Sequence, residues 1–150
     1  MRDLVDPEFA SFVDARQAKW LREAYLVYGE RHRAERELLR AFARLATRWD
    51  KVDDPDVFVQ RLLFQPALSR WHPPKRYPPS DDAVRSALAA LSPAQRTVFV
   101  LLHYEELTEF EVADVLVLSH HTVHGLSRSA LTAFRTSLGL GRWKAAGDRP

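Results

Sequence analysis

Three histidines fall close together at His120, His121 and His124. His120 and His124 are four apart, so on a helix they share a face and could ligate a metal. A zinc protease with that spacing needs a glutamate between the two histidines and a third ligand elsewhere. Here His121 and Thr122 occupy the intervening positions, and the chain has no cysteine. The pattern therefore predicts no metal site. The other chemistry open to these residues is donation to nucleic acid. His121, His124, Gly125, Arg128, Thr132 and Arg135 fall on one side of a helix at ~100° per residue. From Ser119 onward the charged residues are Arg128, Arg135, Arg142, Lys144, Arg149 and a single Asp148, so this side of the helix carries no carboxylate of its own. His121 and His124 suit phosphates or base edges, and Arg128 suits a bidentate contact to guanine. The plainer alternative for Arg128 is a solvated surface arginine.

These residues need two helices and a tight turn to present them. Thr108 with Glu111 forms a capping-box pattern that opens a helix, and Val112, Ala113 and Leu116 share one face of it. Ser119 is a suitable N-cap for the next helix, whose apolar side is Val123, Leu126, Ala130, Phe134 and Leu138. A short helix, a sharp turn and a second helix with a donor-rich outer face make a helix-turn-helix pattern. In that motif the start of the second helix enters the major groove. Ser119, His120, Thr122 and Gly125 join His121, His124, Arg128 and Arg135 as the expected DNA-contacting set.

With 150 residues and 46% hydrophobic content the chain is globular, in one domain or two small ones. Its net charge of +2 is too small to argue nucleic-acid binding by itself, so placement of charge has to carry that reading. The lack of cysteine excludes disulfides and thiolate chemistry and is compatible with the cytoplasm. No apolar run is long enough to span a membrane, and the first residues lack the apolar core of a signal peptide. There is no glycine-rich phosphate loop and no nucleophile elbow, so no catalytic reaction and no cofactor are expected.

Going along the chain, Pro7 opens a helix running to about Val27, with Phe9, Phe12, Val13, Trp20, Ala24 and Val27 inward and Gly29 as its stop. A second helix spans about 31–49, with Leu38, Phe42, Leu45 and Trp49 inward and Arg33, Glu37, Arg40, Arg44 and Thr47 on the opposite, polar face. Asp54 followed by Pro55 starts a third helix carrying Phe58, Val59, Leu62 and Leu63. Pro66 should end or kink it. Arg61, Arg70 and Arg76 alternate with Phe64, Trp71 and Tyr77, a mix that suits single-stranded bases, although Phe64 reads better as core. Residues 72–81 contain four prolines and should form an extended linker of about 30 Å. Helices are then expected near 82–90, 93–105, 109–116 and 120–138, with a frayed tail over 139–150. Glu105, Glu106, Glu109 and Glu111 read as a solvated acidic cluster near a helix start. The expected fold is all-α. It comprises a helical domain over 1–71, the Pro-rich linker, and a helix-turn-helix domain over 82–138.

The run from Leu91 to Leu131 resembles the C-terminal promoter-binding domain of bacterial sigma factors, nearest to the small extracytoplasmic-function type of actinobacteria. Leu91, Pro93, Gln95, Arg96, Tyr104, Glu105, Ser119, Thr122, Val123 and Ala130 carry that resemblance. The first half is similar to the family's N-terminal domain through Gly29, Arg31, Ala34, Glu35, Phe42, Arg44 and Trp49. The stretch from Asp54 to Trp71 is similar to its promoter-melting helix.

The resemblance implies a transcription initiation protein that binds core RNA polymerase and directs it to promoter DNA, and it leaves room for an anti-sigma partner. By the same resemblance Glu35, Arg36, Leu39 and Arg40 would meet polymerase, and Arg61, Arg70 and Trp71 would meet DNA. Four places depart from the family pattern, one of them His124, which stands where a lysine is usual. Arg36 and Arg40 stand where carboxylates are usual. Pro66 interrupts the melting helix. Val117 replaces a turn glycine, although a β-branched residue resists left-handed backbone. These departures keep a rival in view: a degenerate sigma-like regulator that binds DNA or a partner without programming polymerase.

Overall fold

The computed structural model describes residues 5–139. Among them are seven α-helices and two short 3-10 turns, and no strand. The helices are α1 (Pro7–Tyr28), α2 (Arg31–Ala46), α3 (Pro55–Phe64), α4 (Ala83–Ala89), α5 (Pro93–His103), α6 (Glu109–Leu116) and α7 (His120–Ser137). The tail expected over 139–150, including Trp143 and its neighbouring cations, falls outside the described residues from 140 onward.

Helix starts follow local side-chain chemistry. Asp6, Asp54, Asp82 and Ser119 each accept a hydrogen bond from a backbone N–H in the first turn of α1, α3, α4 and α7. Ser92 with Gln95 and Thr108 with Glu111 form complete capping boxes on α5 and α6. Each satisfies donors that a bare helix start would leave unpaired. As Pro66 requires, α3 stops at Phe64, and residues 65–68 tighten into a 3-10 turn.

Helices from both sides of residues 72–81 share one hydrophobic core. Trp20, Leu45, Val59, Leu63 and Phe64 belong to the same buried cluster as Val98, Leu101, Val112, Leu116 and Val123. Burying each such side chain contributes about 1.5–3 kcal/mol, so the shared core couples the two halves in this conformation. A second cluster joins Tyr77, Leu88, Leu91, Phe99 and Ala130.

Polar contacts reinforce the junction. The Arg96 guanidinium donates to the carbonyls of Leu88, Val27 and Leu91, each at 2.9 Å. The Glu105 carboxylate accepts from Trp20 Nε1, from Gln60 Nε2 at 2.8 Å, and from Lys19 Nζ at 3.0 Å. This corrects the expectation of a solvated cluster, because the Glu105 side chain is only 6% exposed. The polar face of α2 needs a similar correction. Arg33 and Glu37 are buried, since Arg33 Nη1 donates to the Pro73 carbonyl at 2.9 Å and the proline segment lies over them.

Glu23 sits buried beside Glu105, and its Oε1 accepts no hydrogen bond. Burial first, and then the Glu105 charge, push the Glu23 carboxyl up to about 8. Its hydrogen bonds hold the Glu105 carboxyl below its usual range against the opposing effect of burial. A raised native pKa means that the folded state holds the Glu23 proton over a range where the unfolded chain has lost it. That contribution is complete below about 4.5 and disappears as pH rises to about 8. Glu105 acts in the opposite sense, and its contribution is lost below the ordinary carboxylate range. Glu23→Gln is therefore expected to flatten the decline of stability between pH 5 and 8. Urea unfolding of parent and variant across that interval checks this, and parallel profiles would refute it.

Candidate nucleic-acid interface

The turn between α6 and α7 is built around Val117, which adopts φ 56° and ψ 50°. This is the left-handed conformation that a β-branched residue resists, and Val117 is 64% exposed, so no burial of its side chain offsets it. The turn is held by two backbone bonds back to the Ala113 carbonyl, one from the Val117 N–H and one from the Leu118 N–H at 3.0 Å. Below it, Val112, Val115, Leu116 and Val123 are buried and fix the angle between the two helices.

Helix α7 starts at the Ser119 cap, whose hydroxyl accepts from the Thr122 N–H at 3.0 Å and donates to Thr122 Oγ1 at 2.8 Å. Val123 and Ala130 are fully buried, while Leu126, Phe134 and Leu138 are half-buried, so the apolar side faces the core as the spacing predicts. His120, His121, Thr122, His124, Gly125 and Arg128 are exposed together on the first turns. An added Cβ at Gly125 would meet nothing within 4 Å, so the backbone there is open to close approach. Arg135 is half-buried further along the helix.

One neighbour was not legible in the sequence. Glu109, from the first turn of α6, reaches the start of α7. Its Oε1 lies 3.0 Å from His124 Nδ1 and 3.4 Å from His120 Nε2. The His120 ring also stacks on the exposed Phe110 ring, at 4.1 Å between centroids and 6° between planes. The carboxylate-free face read from α7 alone thus acquires a carboxylate from α6. His120 and His124 are held by it, whereas His121 and Arg128 make no hydrogen bond or ion pair among the described residues. No group of three or more His, Cys, Asp or Glu side chains among the described residues could hold a metal.

The candidates outside this motif are dispersed. Arg61 donates to the Asp114 carbonyl at 2.9 Å and pairs with its carboxylate at 3.6 Å, which ties α3 to α6. Phe64 is fully buried and Tyr77 nearly so, which removes both from the surface as stacking platforms. Trp71 is 85% exposed beside the exposed Arg70. On α2, Arg36, Leu39 and Arg40 are exposed and Glu35 half-exposed, with Glu35 paired to Arg31 at 3.4 Å.

Residues 87–136, which hold α5, α6 and all but the last residue of α7, match the family model described as Sigma-70, region 4. Over nearly the whole chain there is similarity to proteins named RNA polymerase sigma-E factor. The one from Streptomyces coelicolor is 30% identical, covering 87% of this chain and 86% of the relative. Those from Streptomyces avermitilis and Streptomyces antibioticus are 28% and 27% identical over 87% of this chain, and cover 85% and 84% of their own lengths. The chain belongs to the sigma-factor family, in its actinobacterial extracytoplasmic-function type. This is a family of transcription initiation factors.

The strain at Val117 gives a direct expectation. Val117→Gly relieves the left-handed penalty and should stabilise the protein by about 1 kcal/mol, because the relief exceeds the added flexibility of glycine in the unfolded chain. Chemical denaturation of parent and variant checks this. A lower midpoint in the variant would refute it.

Proposed function

We propose that this chain is a sigma factor that binds core RNA polymerase and directs it to promoter DNA. In this reading residues 82–138 read the upstream promoter element, residues 1–71 meet polymerase and the downstream element, and residues 72–81 connect them. The observation that carries the reading is the start of α7. There a capped helix N-terminus, an open Gly125 and an outward Arg128 stand on a core-anchored turn. That is what a recognition helix needs to enter a major groove.

Ser119, Thr122 and the N-terminal backbone of α7 position phosphates, His121 adds a donor, and Arg128 reads a base. His120 and His124, held by Glu109, orient the start of the helix beside the DNA backbone. Arg135 extends the contact along the phosphates. Arg61, Arg70 and Trp71 face the melted strand, and for Arg61 this requires release of Asp114. Glu35, Arg36, Leu39 and Arg40 form the polymerase-facing surface. The site of action is the cytoplasm, where polymerase and promoter are found. An anti-sigma factor fits as a further partner.

Arg128→Ala should weaken binding to a selected promoter site by ~1–3 kcal/mol and relax one base position. Equal affinities of parent and variant at one fixed salt concentration would refute the base-reading role. Polymerase docking is tested by affinity for purified core enzyme at low and high salt, together with transcription from a promoter library. Arg36→Asp combined with Arg40→Glu should tighten docking on a partly basic clamp surface, and the gain should shrink with salt. Binding weakened by the reversal would refute the charge argument. Absence of binding and transcription by both versions would leave the degenerate-regulator reading in place.

A further inference from the structure

Phe110 interrupts the polar surface at the start of α7. Of the eight phenylalanines, seven are buried or half-buried, and Phe110 alone is exposed, at 69%. It stands in the first turn of α6 and reaches across to α7, where its ring lies flat on the His120 ring. His120 is the first residue of α7. Phe110 is therefore continuous with the surface that His121, Gly125 and Arg128 form.

The ring is held in place from below and behind. The Thr108–Glu111 capping box fixes the backbone of its turn, with the Thr108 N–H donating to Glu111 Oε1 at 2.8 Å and the Glu111 N–H donating to Thr108 Oγ1 at 3.1 Å. Behind it, His120 is positioned by Glu109 Oε1 at 3.4 Å, and the His124 ring follows at 6.4 Å and 28°. An apolar group already set in one orientation loses little conformational freedom when a partner covers it.

Duplex DNA offers this ring one partner of its own kind. Base edges in the major groove present hydrogen-bond donors and acceptors, and the single apolar group among them is the C5 methyl of thymine. Phosphates give a phenyl ring no comparable contact. Helix-turn-helix docking brings the start of the second helix into that groove, together with the side chain stacked on its first residue. We propose that Phe110 is a specificity-determining residue that reads the C5 methyl group of a thymine beside the bases met by α7. The inference rests on the promoter-binding reading and adds to it a contact made from α6, outside the recognition helix.

The experiment removes that methyl group from the DNA. Duplexes are selected from a random library by the full chain, with and without core polymerase. Each thymine of the selected site is then replaced singly by deoxyuridine, and affinities are measured at one fixed salt concentration. At one position the parent should bind about fourfold more weakly, the effect of one methyl group leaving an apolar contact. Phe110→Ala should bind the thymine duplex more weakly by at least that factor, and should bind the thymine and deoxyuridine duplexes alike. Phe110→Leu, which keeps an apolar side chain, should retain part of the distinction. The deoxyuridine series on the parent needs no variant, so a folding defect in either replacement does not weaken the test. A parent insensitive to methyl removal at every thymine would overturn the proposal, as would a selected site without thymine. So would a sensitivity that persists in Phe110→Ala, which would place the methyl group against α7 instead. Selection of no duplex under either condition would refute the promoter-binding reading itself, and this inference with it.

Discussion

The Arg96 guanidinium is the interaction on which the arrangement of helices depends. A buried arginine must find acceptors for its donors, and here it finds them at helix ends. The Leu88 and Leu91 carbonyls lie at the end of α4 and just beyond it, and the Val27 carbonyl lies in the last turn of α1. The Leu88 carbonyl also accepts from the Leu91 N–H at 3.1 Å, and carbonyls near the negative end of a helix favour a cation. Arg96 also lies over the Tyr77 ring at 4.5 Å, and Tyr77 in turn donates its hydroxyl to the Leu26 carbonyl at 2.8 Å. Gly29 completes the joint. Its φ of 70° and the Tyr77 ring carbon 2.5 Å from where a Cβ would lie both exclude a side chain. One cation thus ties α1, α4, α5 and the end of the proline segment to one point.

Glu105 does at the other end of α5 what Arg96 does at its start. Its carboxylate collects donors from α1 and α3, so the beginning of the helix-turn-helix unit is held against the first half by charge-assisted bonds as well as by the shared core. The proximity of Glu23 makes this contact responsive to protonation, because two buried carboxylates side by side are unfavourable unless one of them keeps a proton. The same packing occupies Arg61, which Asp114 holds on α6.

The recognition helix combines a favourable and a costly choice. Ser119, Val123 and Ala130 satisfy cap and core without strain, whereas Val117 turns the chain through a backbone state that glycine would adopt freely. Two bonds to the Ala113 carbonyl and the buried leucine and valines beneath hold the turn closed despite the residue type. Glu109 then adjusts the electrostatics of the outer face, leaving Arg128 and His121 as its outward donors.

The sequence by itself determined what depends on near neighbours. Helix starts could be read from Asp54, Thr108 and Ser119, because a cap bonds to a backbone group two or three residues away. The stop at Gly29 and the break at Pro66 were equally legible, since each acts on its own backbone. The buried side of α7 followed from helical spacing, and the family followed from motifs in both halves. What only the tertiary structure decided involves partners distant in sequence. Glu105 is buried because Trp20 and Gln60 converge on it, Arg33 because Pro73 covers it, and Glu109 meets His120 and His124 because the turn at Val117 sets the helix angle. Burial of an ionisable group is decided by whether distant partners compensate its desolvation, and helical periodicity carries no information about them.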